Sequence, residues 1–324
     1  MDTLTDIRQS IANDWNRYEQ SMADCLQSDN RALQEVLSYI CSRSGKQLRP
    51  LLVLLSAQIC HSITEKTIYT ATALEMLHNA SLVHDDVVDS SDTRHGIPAV
   101  HAQWNNKVAV LTGDYMLAKV IALIAEVRNT RILEIISSLG QSLSSGEVLQ
   151  LHIGQSMWID EERYLQIINQ KTAQLFQSCA EAGGESAGCT QRQRTALKEY
   201  GRLLGLCFQI KDDIFDYYEG DIGKPTGSDM REGKITLPAL YVLRTSASPV
   251  VAVINDKLAA GTELDEKEIE SLIELSKTEG GVQYALDRIE QLRAEALSLL
   301  PAVIPADCRN ALVAYLDYVI SRNK

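Results

Sequence analysis

Apolar residues recur at spacings of three and four along almost the whole chain, and almost nowhere do they alternate with polar ones. That period puts them on one stripe of an α-helix, whereas a half-buried strand needs strict alternation. The pattern restricts the chain to an all-α fold. It predicts helices over 4–26, 30–43, 50–60, 65–90, 107–125, 128–154, 160–184 and 190–219. A C-terminal set follows over 236–244, 249–259, 266–277, 279–299 and 306–321. Gly45 breaks the chain before Pro50, and Pro50 suits the first position of its helix, where the missing amide hydrogen costs nothing. No linker of disordered composition and no repeat of about 20–50 residues divides the chain, so residues 1–324 read as one bundle-like domain.

Two apolar helices end in carboxylates. Residues 77–89, LHNASLVHDDVVD, carry Asp85 and Asp89 four apart, one turn above the other on one face. Asp86 is rotated by about 100° and is a neighbour to that pair. Ser90, Ser91, Gly96 and Pro98 then stop the helix. The same pattern returns as Asp212, Asp213 and Asp216 after the apolar run 203–210. Carboxylates at a helix C-terminus face the negative end of the macrodipole, at about 0.3–1 kcal/mol per charge. One such cluster is an ordinary solvated helix end; two closing buried helices call for a compensating cation. Mg²⁺ takes oxygen ligands, keeps several waters, and is held by one or two carboxylates plus substrate phosphates. Calcium is disfavoured, since the EF-hand spacing and its loop glycine are missing. So sparse a ligand set points to a phosphorylated substrate that completes the shell.

The cations agree. Lys46 and Arg49 sit at a helix start, where amide groups already favour anions and arginine adds a bidentate fork. His78 lies seven residues before Asp85, two turns away on the same face. Arg94 and His95 follow the first motif in a tight turn, and Lys171 interrupts an otherwise apolar helix. The longest loop, residues 220–234, holds four glycines, a proline and three cations directly after the second motif; long irregular loops in compact domains tend to be functional.

The net charge of −12 argues against nucleic acid or an anionic membrane surface as a nonspecific partner. The seven cysteines are scattered without CxxC spacing, which suggests neither a zinc site nor a disulfide framework, and fits reduced thiols in a cytoplasmic protein. The first residues are polar and acidic, without an apolar signal core. No run of 18 or more apolar residues suggests a membrane span.

Together, GKQLRP at 45–50, the 77–89 run, LTGD at 111–114, GEVLQ at 146–150, KT at 171–172, FQIKDDIFD at 208–216 and GKPTGSD with EGK in 223–234 resemble the trans-isoprenyl (polyprenyl) diphosphate synthases. That resemblance implies an all-α, single-domain fold of helices around a deep central cavity, usually a homodimer. It implies head-to-tail condensation of isopentenyl diphosphate with an allylic diphosphate such as farnesyl or geranyl diphosphate. Asp85, Asp89 and Asp212 resemble the ligands of about three Mg²⁺ ions, which Mn²⁺ can replace. Asp86, Asp213 and Asp216 resemble supporting members. Lys46, Arg49, His78 and His95 would bind isopentenyl diphosphate. Arg94, Lys171, Lys224 and Lys234 would contact the allylic diphosphate, with Thr172 and Gln209 beside the developing carbocation. The family usually has arginine where His95 stands. Near its usual pKa of about 6.5 a histidine is mostly neutral, so weaker or pH-dependent binding of isopentenyl diphosphate is expected.

Short-chain members tend to place an aromatic ring one turn before the first aspartate. Here Ala80 and Ser81 are small, and Leu77 and Met76 follow, with no aromatic before Tyr69. A long product of about the octaprenyl class, for quinone side chains, is therefore expected; a short-chain (geranylgeranyl or farnesyl) synthase is the alternative. A noncatalytic partner subunit usually loses the aspartates, and a class I terpene cyclase would not need GKQLRP. Membrane contact during product release stays open.

Overall fold

The helical period holds. The structure, a computed structural model, describes residues 4–42, 45–60, 63–94, 96–153, 160–218, 226–300 and 304–322. In chain order these form α1 (Leu4–Gln9), α2 (Ala12–Cys25), α3 (Arg31–Cys41), α4 (Leu48–Gln58) and α5 (Glu65–Val88). A two-stranded hairpin follows, β1 (Thr93–Arg94) and β2 (Ile97–Pro98), antiparallel with Arg94 opposite Ile97. Then come α6 (Val100–Gln103), α7 (Asn106–Val127), α8 (Thr130–Ile153), α9 (Glu161–Ile168), a π-helical turn (Asn169–Ala173) and α10 (Gln174–Ser186). The remainder is α11 (Gln191–Phe215), α12 (Ser228–Arg231), α13 (Leu237–Thr245), α14 (Pro249–Ala259), α15 (Glu266–Thr278), α16 (Gly281–Leu299) and α17 (Ala306–Ser321).

Three boundaries depart from expectation. The first predicted helix breaks between α1 and α2, where the Ser10 hydroxyl donates to the Ile7 carbonyl at 2.6 Å and competes with the helical ladder. The helix expected over 160–184 widens into the π-turn at its middle. Pro50 is the third residue of α4, not the first; the first-turn amides have no intrahelical acceptor, so proline is tolerated there too.

The chain separates into two compact units, one of Met1–Gly140, Ser178–Lys198 and Leu300–Tyr315, the other of Gln141–Gln177, Glu199–Leu299 and Leu316–Lys324. In the first, α4 and α5 are apolar on nearly all faces and correspondingly buried. Helix α7 runs against α5 at Gly113, where a Cβ would stand 2.1 Å from the His84 Nε2 atom. A side chain there would push the two helices apart. By length and composition alone α7 could cross a membrane, a test that core helices also pass; it carries Asp114 and Lys119. In the second unit, α11 meets the π-turn at Gly205, where a Cβ would lie 2.5 Å from the Ala173 Cα.

Candidate active site

Asp85 and Asp86 occupy the last turn of α5, and Asp89 is its C-cap, its amide donating to the Asp85 carbonyl at 2.8 Å. Asp85 is half-buried and Asp89 exposed, while Asp86 is buried. The hairpin explains the difference. It returns Arg94 to α5, and the guanidinium donates from Nε at 2.8 Å and Nη2 at 2.7 Å to Asp86 Oδ1. Asp86 is thus committed to an internal ion pair.

Two of the candidate isopentenyl diphosphate residues of this unit, Arg49 and His78, lie close together. Arg49 is half-buried in the first turn of α4. His78 is held well below the usual histidine range, chiefly by burial and then by the guanidinium groups of Arg49 and Arg94. It is therefore a neutral hydrogen-bonding group among cations at pH 7. Lys46 is exposed. Glu75, 6% exposed on α5, escaped the sequence reading. Burial raises its carboxyl, and Arg49 opposes that shift, so Glu75 is the buried counter-charge of the arginine. Of the proposed chain-length residues, Ala80 and Leu77 are buried and Ser81 is half-buried, its hydroxyl donating to the His78 carbonyl at 2.9 Å.

The second motif repeats the geometry. Asp212 and Asp213 lie in the last turn of α11, and Asp216 just beyond it. Asp216 accepts the amides of Ser228 and Asp229 at 2.9 and 3.1 Å, which pins α12 to the end of α11. Asp213 is buried and accepts from the Tyr164 hydroxyl at 2.6 Å and the Gln209 amide nitrogen at 2.8 Å. Burial, helped by nearby Asp229, pushes Asp213 up to about 7 against these two bonds. Gln209 in turn accepts from the Thr172 hydroxyl at 2.6 Å. Thr172 and Lys171 belong to the π-turn, a form that recurs at functional sites because it displaces a side chain from the regular helical face. Lys171 pairs with Glu147 at 3.2 Å and Lys234 with Glu232 at 2.5 Å. Asp212 accepts from Arg322 Nη2 at 2.6 Å. Arg322 also donates to the Phe208 carbonyl at 3.1 Å and lies over the Phe208 ring at 3.7 Å.

The expected residues thus fall into two clusters, Lys46, Arg49, His78, Asp85, Asp86, Asp89 and Arg94 in one unit and Lys171, Thr172, Gln209, Asp212, Asp213, Asp216 and Lys234 in the other. His95 and Lys224 lie outside the described residues. Tyr164 and Arg322 were missed with Glu75. Tyr164 reads as one apolar position of α9, and Arg322 as a terminal surface charge; nothing local marks either.

The donors suit a hard divalent cation, being carboxylate oxygens without thiol or imidazole among them. Among the described residues no three His, Cys, Asp or Glu side chains gather closely enough to hold an ion alone. A cation held there would take waters and substrate oxygens to complete its shell, the usual habit of Mg²⁺.

Against known proteins, residues 30–276 match the model of the polyprenyl synthetases. The octaprenyl diphosphate synthase of Escherichia coli (strain K12) is 31% identical over 323 residues, 99% of each chain. The crystal structure of the polyprenyl synthase from Caulobacter crescentus CB15, complexed with calcium and isoprenyl diphosphate, superposes with a TM-score of 0.90 at 32% identity, covering 100% of this chain and 99% of that one. That of geranylgeranyl pyrophosphate synthase from Bacteroides thetaiotaomicron gives 0.84 at 40% identity, covering 99% and 100%. The helices, the repeated aspartate ends and these likenesses agree: the chain has the all-α isoprenoid synthase fold, belongs to the polyprenyl synthetase family and is a trans-prenyltransferase.

Proposed function

We propose that this protein condenses isopentenyl diphosphate head-to-tail onto an allylic diphosphate, farnesyl or geranyl, to build a long all-trans polyprenyl diphosphate of about the octaprenyl class for quinone side chains. The observation that carries the reading is the repeated helix end. In each motif the second aspartate is buried among internal partners, Asp86 with Arg94 and Asp213 with Tyr164 and Gln209, and the first stands at the negative pole of its helix, Asp212 with Arg322 beside it.

Asp85, Asp89 and Asp212 hold the Mg²⁺ ions, with Mn²⁺ as a substitute. The metal supplies Lewis-acid stabilisation of the charge that builds on the departing diphosphate, a contribution of roughly several kcal/mol. Arg94, Lys171, Lys224 and Lys234 bind the same diphosphate as fixed cations. Lys171 and Lys234 exchange Glu147 and Glu232 for phosphate oxygens, while Arg94 keeps its bond to Asp86. Arg49, Lys46, His78 and His95 hold isopentenyl diphosphate, Glu75 keeping Arg49 in place. Breaking the allylic C–O bond leaves a carbocation. The alkene of isopentenyl diphosphate attacks it, and the released diphosphate takes the proton lost next to the new bond. Thr172 and Gln209 present oxygen lone pairs and amide dipoles to the cation without supplying a nucleophile, and water must be excluded while it lives.

The small pair Ala80 and Ser81 with Leu77 beneath supports the long product. Identity of 40% to the geranylgeranyl enzyme favours a short-chain product as the second reading. Val110, Leu111 and Ile121 are 41, 67 and 73% exposed along α7; such a stripe supports a homodimer built on that helix. Incubation with labelled isopentenyl diphosphate, farnesyl or geranyl diphosphate and Mg²⁺, followed by reversed-phase chromatography of the dephosphorylated products, tests all of this. A ladder ending near octaprenol is expected. A product of about twenty carbons selects the second reading, and no condensation at all rejects both.

A further inference from the structure

We propose that Tyr164 is a positioning residue of the condensation, acting through Asp213 and Gln209 to fix which side of the Thr172 hydroxyl is left for the substrate. The inference rests on the reaction proposed above. Four side chains form one directed chain. The Tyr164 hydroxyl donates to Asp213 Oδ2 at 2.6 Å, Gln209 Nε2 donates to Asp213 Oδ1 at 2.8 Å, and the Thr172 hydroxyl donates to Gln209 Oε1 at 2.6 Å. Tyr164, Asp213 and Thr172 are 3, 5 and 9% exposed and Gln209 is half-buried, so little water competes for these bonds.

The direction follows from the donor and acceptor inventory. A carboxylate met by a donor on each oxygen is an acceptor only. The Gln209 amide must therefore turn its nitrogen to Asp213, which leaves its oxygen toward Thr172. A carbonyl oxygen can only accept, so the threonine hydrogen is committed to it. What Thr172 then offers to any other group is lone pairs, the end of the dipole that stabilises a cation. With its hydrogen turned outward instead, the hydroxyl would repel one. Tyr164 is the anchor of this order. Without its hydroxyl, Asp213 Oδ2 is a buried acceptor lacking this donor. The carboxylate can then rotate, and Gln209 can flip and free the threonine hydrogen. Gly205 supports the same arrangement, since its missing side chain lets α11 approach the π-turn closely enough for the 2.6 Å bond.

The test compares wild type with Tyr164→Phe, Thr172→Val, Thr172→Ser and the Tyr164→Phe/Thr172→Val pair, using isopentenyl diphosphate, an allylic diphosphate and Mg²⁺. Loss of one hydrogen bond to a charged group predicts a fall in kcat of about tenfold for Tyr164→Phe. Both KM values stay within about twofold, since the ring is buried and its hydroxyl is spent on Asp213. Thr172→Ser keeps the hydroxyl and loses much less rate than Thr172→Val, which removes it. The double variant is no slower than Thr172→Val alone, because a broken chain has nothing left to orient. Gln209→Met breaks the relay at its centre and serves if Tyr164→Phe does not fold; its kcat falls at least as far. Wild-type kcat in Tyr164→Phe or Gln209→Met, multiplying losses in the pair, or a rate loss matched by raised KM values and a lowered melting temperature would overturn the inference. If wild type condenses normally and Tyr164→Phe matches it, only the inference fails. If wild type forms no product, the reaction itself is misassigned and the inference goes with it.

Discussion

Replacing Gly205 with alanine perturbs the site through packing alone. The added Cβ would stand 2.5 Å from Ala173 Cα, 3.0 Å from Ala173 Cβ and 3.2 Å from the Ala173 carbonyl oxygen. Carbon atoms settle at about 3.5–4.0 Å, so α11 and the π-turn must part by about 1 Å. Overpacking of this kind costs about 1–3 kcal/mol, and alanine returns roughly 1 kcal/mol of helix propensity. The net loss is about 0–2 kcal/mol, small enough for the chain to stay folded. The same 1 Å falls on the Thr172 to Gln209 bond, now 2.6 Å, and takes it beyond hydrogen-bonding range. A misplacement of that size in a catalytic group costs on the order of 10²-fold in rate. Steady-state kcat and a thermal melt followed by circular dichroism read the two effects separately. Gly140→Ala is the control: a Cβ there meets nothing within 4 Å, so stability should rise slightly and the rate stay put. A Gly205→Ala protein with wild-type kcat would show that the close approach has no part in the chemistry.

Asp85→Asn and Asp89→Asn should each lower kcat by about 10²-fold or more, with the Mg²⁺ concentration for half-maximal rate displaced upward; isothermal titration of Mg²⁺ with a non-hydrolysable diphosphate checks this without turnover. Ala80→Phe should shorten the product, and an unchanged chromatogram would detach chain length from that position. Arg322→Met removes a side chain 7% exposed that both pairs with Asp212 and covers Phe208; Asp212 is itself 37% exposed, so screening limits the loss to about 1–2 kcal/mol, read as a lower melting temperature. His95→Arg should lower KM for isopentenyl diphosphate, since a guanidinium keeps its charge at every working pH; equal values in both proteins at two pH values would remove the idea.

The helices and the chemistry-bearing residues are local information. Apolar spacing, the stop after Asp89 and the four-residue spacing of each aspartate pair are set by neighbours a turn or two away, so reading the chain in order finds them. Even the details that differ, Pro50 two residues inside its helix and the break at Ser10, are local ones. The partners of the aspartates are of another kind. Tyr164 reaches Asp213 across 49 positions and Arg322 reaches Asp212 across 110. In sequence, one is an apolar residue in an amphipathic helix and the other a charge near the end. Which donor each aspartate meets depends on those distant segments, and the close approach of the helices depends on two glycines, Gly113 and Gly205, whose value is the space they leave. Hydrogen bonds and contact distances between remote segments exist only once the chain has folded, and no periodicity encodes them.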